Sequence, residues 1–181
     1  TAKREKVMGV KIVYGSHYGT TERYAQELSR RVGIPAVDYR KMGEISSQDT
    51  VIYLGGLYAG GLVGLKKSLP KLKTAANLIV VTVGLADPEE EENVQHIRAS
   101  VTKQLGEELT AKTTVIHRRG GIDYGKLNML HRTMMRMLYS QIKKKPVDQL
   151  SEEDQELIAT YGKKVDFTDL SSVEKIQALL K

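Results

Sequence analysis

The chain has 181 residues, a formal net charge of +6 and no cysteine. The lack of cysteine excludes disulfides, a thiol redox site and a Cys-ligated iron–sulfur cluster, so any redox chemistry must come from a bound cofactor. One α/β domain with a real core fits this length, the longest apolar run, Leu78 to Leu85, is too short to span a bilayer, and the charged start from Thr1 to Lys6 has no apolar stretch behind it, so a cytoplasmic protein is expected.

Val10-Lys11-Ile12-Val13-Tyr14 reads as a buried first strand. Gly15-Ser16-His17-Tyr18-Gly19-Thr20-Thr21 follows, and then a helix over 20–31 with Tyr24, Leu28 and Arg31 on one side and Ala25 and Val32 beside them. Glycines and hydroxyls between a strand tip and a helix make a phosphate cradle. The first N–H groups of a helix lack internal partners, and the helix dipole is positive there. An anion sits at such a place without a lysine, and this loop has none. The same residues also suit an ordinary strand-to-helix turn capped by Thr20. The loop lacks the Gly-Lys-Ser/Thr ending of a P-loop, and Gly15 and Gly19 do not form G-x-G-x-x-G, which leaves Asp38 a weak candidate for a ribose-binding acid. A phospho-acceptor receiver domain needs an aspartate at the end of strand three, where Gly55-Gly56 stands instead.

Further along, 35–39 reads as a short second strand and 51–54 as the third. A helix is expected over 63–73, interrupted or ended by Pro70. Residues 78–83 form the clearest strand, the fourth, and an apolar run broken only by Thr82 suits a parallel strand covered on both faces. Asp87-Pro88 followed by four glutamates reads as an N-cap and first turn of a helix running to about residue 105. Residues 113–117 start the fifth strand, and Ser171-Ser172-Val173-Glu174 reads as a capping box opening a last helix that packs Val173, Ile176 and Leu180. Repeated β-α units predict a doubly wound, five-stranded parallel α/β sheet in the order 2-1-3-4-5, within one domain over 1–181.

Between strand five and the last helix lies an insert over about 118–164. Leu127, Leu130, Met134, Met137, Leu138 and Ile142 recur at spacings of three and four, one face of a helix, with Arg132, Arg136 and Lys143 on another. From Lys112 to Lys145 nine basic residues face one acid, Asp123. This fits a core helix with a solvated outer face, a peripheral membrane-surface or lipid-quinone platform, a nucleic-acid site, or an acidic protein partner. The nucleic-acid reading is the weakest, because only Tyr124 and Tyr139 are interleaved aromatics. His17 stands in the loop and is a candidate phosphate donor. His96, His117 and His131 read as surface or packing residues, and the four histidines show no metal spacing.

The loop resembles the flavodoxin-like family, whose Thr/Ser-x-Thr-Gly-x-Thr pattern holds the phosphate of FMN. Ser16, Gly19 and Thr21 match, while Tyr18 stands where threonine is usual and leaves one hydroxyl contact fewer. Gly55-Gly56-Leu57-Tyr58-Ala59-Gly60 and the late basic segment are similar to the branch of menaquinone-dependent protoporphyrinogen oxidases. The resemblance implies FMN held by Ser16 to Thr21, by Gly56, Leu57, Tyr58, Ala59, Gly60 and Gly61, and by a second flavin loop with Val83, Gly84, Leu85 and Asp87. Tyr58 is the first candidate for stacking on the flavin and Tyr124 the second. Val165-Asp166-Phe167 resumes the fifth strand, as in long-chain flavodoxins. The resemblance also places the acidic run after strand four by the second flavin loop, where its charge is expected to disfavour the anionic reduced flavin and lower the potential. The expected activity is an FMN-dependent oxidoreductase passing electrons to a quinone or tetrapyrrole-like molecule. The alternative is a flavodoxin-type electron carrier serving a redox protein partner.

Overall fold

The computed structural model describes residues 9–58 and 60–181. The reading of Thr1 to Lys6 and the place of Ala59 in the site lie outside these residues. Five parallel strands form the central sheet: β1 (Val10–Gly15), β2 (Ala36–Asp38), β3 (Thr50–Tyr58), β5 (Asn77–Gly84) and β6 (Thr113–Arg119). Their order is β2-β1-β3-β5-β6, the expected doubly wound arrangement, and a short β4 (Gly61–Leu62) folds back antiparallel onto the end of β3.

Alternation along the strands builds two cores. Ile12, Ile52, Leu54, Ile79 and Val81 face α1 (Thr20–Val32) and α6 (Val173–Gln177), packing with Tyr24, Leu28 and Ile176. Val13, Val51, Tyr53, Leu78 and Val80 face α2 (Leu65–Leu72) and α3 (Glu91–Thr110), packing with Leu65, Leu72, Val101 and Leu109. A sheet covered on both faces needs apolar residues of both parities, and this chain supplies them. Thr82 is polar and fully buried. Its hydroxyl donates to Nδ1 of His117 at 2.8 Å, and His117 Nε2–H donates to the Ala86 carbonyl at 2.8 Å. His117 is therefore a neutral core histidine, with its pKa lowered by burial.

Several expected boundaries move. Gly55 to Tyr58 extend β3 instead of forming a loop, because Gly55 and Gly56 pair in register with Thr82 and Val83. Pro70 sits inside α2, which ends two residues later, and Val63 lies outside it. Asp87 caps a turn and not a helix: its carboxylate accepts the Glu89 N–H at 3.0 Å, and α3 starts only at Glu91. The capping box at Ser171 does not form. Asp169 instead accepts the Ser171 N–H and leads through a short 3-10 turn into α6, which still buries Val173 and Ile176.

The insert carries α4 (Met129–Ile142) and α5 (Glu152–Thr160). β8 (Lys164–Asp166) does not resume the fifth strand. It pairs antiparallel with β7 (Gly121–Asp123) in a separate two-stranded sheet, and Phe167 N–H donates to the Gly120 carbonyl at 3.0 Å. All seven residues of β6 pair with β5 on one side, and the returning chain joins β7 beyond Gly120 and not the outer edge of β6. Among the described residues, no helix is long and apolar enough to cross a membrane.

Candidate functional site

A parallel sheet binds ligands outside the carboxyl ends of its strands, where the winding direction reverses. Here that point lies between β1 and β3, and a cleft of about 1200 Å³ opens there. The loop after β1 forms its floor. Gly19 is left-handed, with φ at 92°, and its N–H donates to Ser16 Oγ at 3.0 Å. No side chain caps α1. Thr20 is the first helical residue and not its cap, so the amides of the first turn remain available to an anion. Gly15 is required by close approach: a Cβ there would lie 2.1 Å from the Val63 carbonyl oxygen. That carbonyl is fixed in turn by the Tyr53 hydroxyl at 2.7 Å.

The cleft gathers most of the predicted site. Ser16, His17, Tyr18, Gly19, Thr20 and Thr21 line it from the loop; Gly56, Leu57, Tyr58 and Gly60 from β3 and its turn; Val83, Gly84 and Leu85 from β5. Gly61 and Asp87 are not among its lining residues. Gly61 pairs with Tyr58 across the hairpin. Asp87 turns its carboxylate to the local backbone and to Arg119, 3.5 Å away. Arg119 also holds the Leu85 carbonyl at 2.9 Å and Glu156 at 2.8 Å, and its guanidinium lies 3.8 Å over the Phe167 ring. One side chain thus fastens the loop after β5 to the insert.

The two candidate stacking residues separate. Tyr58 stands on the cleft wall, with its ring 4.3 Å from His131 and 5.2 Å from His17 and its hydroxyl 3.2 Å from Met134 Sδ. Tyr124 is buried away from the cleft. Its ring lies edge-on to Tyr161 at 5.1 Å, and Tyr161 stacks on Tyr139 at 3.9 Å. Burial pushes the Tyr124 hydroxyl up to about 12.

Sequence reasoning missed His131. It counted only apolar residues for the inner face of α4, whereas His131, Met135 and Ile142, at helical spacing, form the face turned to the cleft. His131 and Ile142 are buried, while Leu130, Met137 and Leu138 are exposed. A histidine at i, with Met at i+4, was the signal available. His17 has its pKa lowered, chiefly by burial and then by the neighbouring His131 and Arg40. Far from the loop, the cleft continues between α3 and α5, past His96, Ser100 and Leu157.

The family model described as flavodoxin domain matches residues 11–149, well over half of the chain. Among solved structures, a cysteine-to-serine mutant of flavodoxin from Pseudomonas aeruginosa is 18% identical, covering 83% of this chain and 99% of that one with a TM-score of 0.39. The comparison with curated proteins finds no match.

Proposed function

This chain belongs to the flavodoxin domain family, and from that premise we propose that it is an FMN-binding oxidoreductase that passes electrons between the flavin and an organic or quinone substrate. The observation that carries the reading is the uncapped N-terminus of α1, opening with the Gly15–Gly19 loop onto the cleft at the switch point of the sheet. A phosphate suits these free amides and needs no lysine. Ser16 Oγ accepts the Gly19 N–H and keeps its own proton, so Ser16, Thr20 and Thr21 all bring hydroxyls to the phosphate. Tyr58, Leu57 and Leu85 form the walls for a flat ring. Bound FMN supplies the electron chemistry; the chain supplies position, exclusion of water and hydrogen bonds.

The size of the cleft supports an enzyme over a carrier. Its volume exceeds the range of about 300–1000 Å³ usual for one small ligand, and the insert walls its far end with Met135, Leu138 and Ile142. Room beside the ring suits a planar organic substrate of the quinone or tetrapyrrole class, as in the protoporphyrinogen-oxidase branch. The exposed Leu130 and Met137 on α4, with Arg132, Arg136 and Lys143 to Lys145 on the same segment, support contact with an anionic lipid surface from which such a molecule is drawn.

Fluorescence titration with FMN and riboflavin tests the cofactor. FMN is expected to bind at least tenfold more tightly, a difference of about 1.4 kcal/mol. Equal affinities refute the phosphate assignment. A reduced protein that oxidises only with a partner protein, and not with soluble naphthoquinone, supports the carrier instead.

A further inference from the structure

The position at which the loop departs from its family pattern is also the position at which the insert docks. Tyr18 lies 44% exposed, and its hydroxyl bonds Nδ1 of His131 on α4. The same hydroxyl oxygen accepts the Asn128 N–H at 3.3 Å, so its own proton is free for Nδ1. With Nδ1 accepting that proton, the N–H of the ring stands on Nε2. His131 is only 7% exposed and borders the cleft. Among the described residues, Nε2 has no hydrogen-bond partner, yet it is not one of the polar atoms sealed from solvent. It therefore remains open on the cleft side. Water serves an N–H that is open to solvent, and a ligand that fills the cleft takes the place of that water.

We propose that His131 is a hydrogen-bond donor that the insert adds to the site, its Nε2–H meeting a carbonyl oxygen of the planar ring bound there. The inference rests on the ring-redox function proposed above. Two rings supply such an oxygen: the flavin along its carbonyl edge, and a quinone-class substrate. In either case the donor favours the reduced ring, because negative charge gathers on that oxygen as electrons arrive. Tyr18 is a positioning residue, which gives up a hydroxyl contact to phosphate and fixes the His131 tautomer. His17, with its ring 5.0 Å from His131, and Tyr58, at 4.3 Å, hold the imidazole from two further sides.

The test compares His131→Phe, His131→Gln and Tyr18→Phe with the wild type, each checked for folding by thermal melting. His131→Phe keeps a ring against Tyr58 and removes the donor. His131→Gln restores an N–H. Tyr18→Phe changes a largely exposed residue and only unlocks the tautomer, so it remains informative if His131→Phe unfolds. If the acceptor is the flavin, His131→Phe weakens FMN binding about three- to tenfold and lowers the flavin midpoint potential. If the acceptor is the substrate, FMN binding and potential stay put, and KM for 2-methyl-1,4-naphthoquinone rises by a similar factor. In both cases His131→Gln recovers most of the loss, and Tyr18→Phe shows a smaller change in the same direction. The inference is overturned if folded variants match the wild type in FMN affinity, potential and quinone kinetics, or if Phe and Gln cost the same, which marks a packing residue. A wild type that binds no FMN refutes the proposed function and this inference with it. A wild type that binds FMN with His131→Phe indifferent refutes this inference alone.

Discussion

The β1–α1 crossover and the insert meet at one cleft, but they are held in place by different means. In the crossover the helix stripe is packed on the sheet: Tyr24, Ala25 and Leu28 lie at or below 1% exposure, and Val32 at its end is half-buried. In the insert the helical period is equally clear, yet Leu130 is 66% and Met137 59% exposed. The insert is anchored by polar and aromatic contacts instead: Tyr18 to His131, Arg119 to Glu156, and the Tyr124–Tyr161–Tyr139 stack. An amphipathic period specifies a helix with an apolar side. It does not specify that the side finds a protein partner.

The contrast predicts unequal costs of mutation. Leu28→Ala removes a fully buried side chain and is expected to cost about 2–5 kcal/mol in urea unfolding. A loss under about 1 kcal/mol would mean that α1 tolerates a cavity and would remove one side of the comparison.

Arg119→Ala cuts the bonds from β6 to Leu85, Asp87 and Glu156 and the contact with Phe167. Its cost is expected near 1–2 kcal/mol, together with faster hydrogen exchange in residues 85–90 and 152–158. Unchanged exchange in both segments would show that the insert is held without this residue.

The core of the sheet also sets a pH response. His117 is neutral and buried, so its folded pKa lies below the unfolded value near 6.5. Below that value the unfolded chain binds the extra proton, and stability rises with pH in this window. The contribution is complete above about pH 6.5 and is lost as pH falls toward the folded value. His17, also lowered, acts in the same direction. The urea midpoint is therefore expected to fall between pH 7 and 5.5, and less steeply in His117→Gln. Identical slopes in the two proteins would assign the response elsewhere.

The smallest stability effect is expected in the insert. Leu130→Ala should change stability by less than about 0.5 kcal/mol, while reducing binding to anionic phospholipid vesicles at low salt. Added salt should weaken that binding further, since the charges of Arg132 and Arg136 are exposed and screened. A cost of 2 kcal/mol or more would show that the exposed face is packed in solution, for example against a second copy.

Much of this molecule was legible in the residues alone. Strands β1, β3 and β5 announce themselves by their apolar residues, α1 by its period, and the loop by Gly15, Ser16, Gly19 and Thr21. These features are local, because strand burial, helix period and the free amides of a helix start depend on neighbours in sequence. The sequence also determined which residues of the first loop, β3 and β5 would come together, since a doubly wound sheet brings strand ends to one edge. Tertiary structure decided the rest. Tyr58 and Tyr124 have similar sequence credentials, yet only Tyr58 reaches the cleft, because the second is drawn into the stack with Tyr161. β8 pairs with β7 outside the main sheet, although β6 is an edge strand with an open side. The partnership of Tyr18 with His131 spans 113 positions. No local pattern encodes it, because a hydrogen bond between distant side chains exists only once two separately folded segments are packed together.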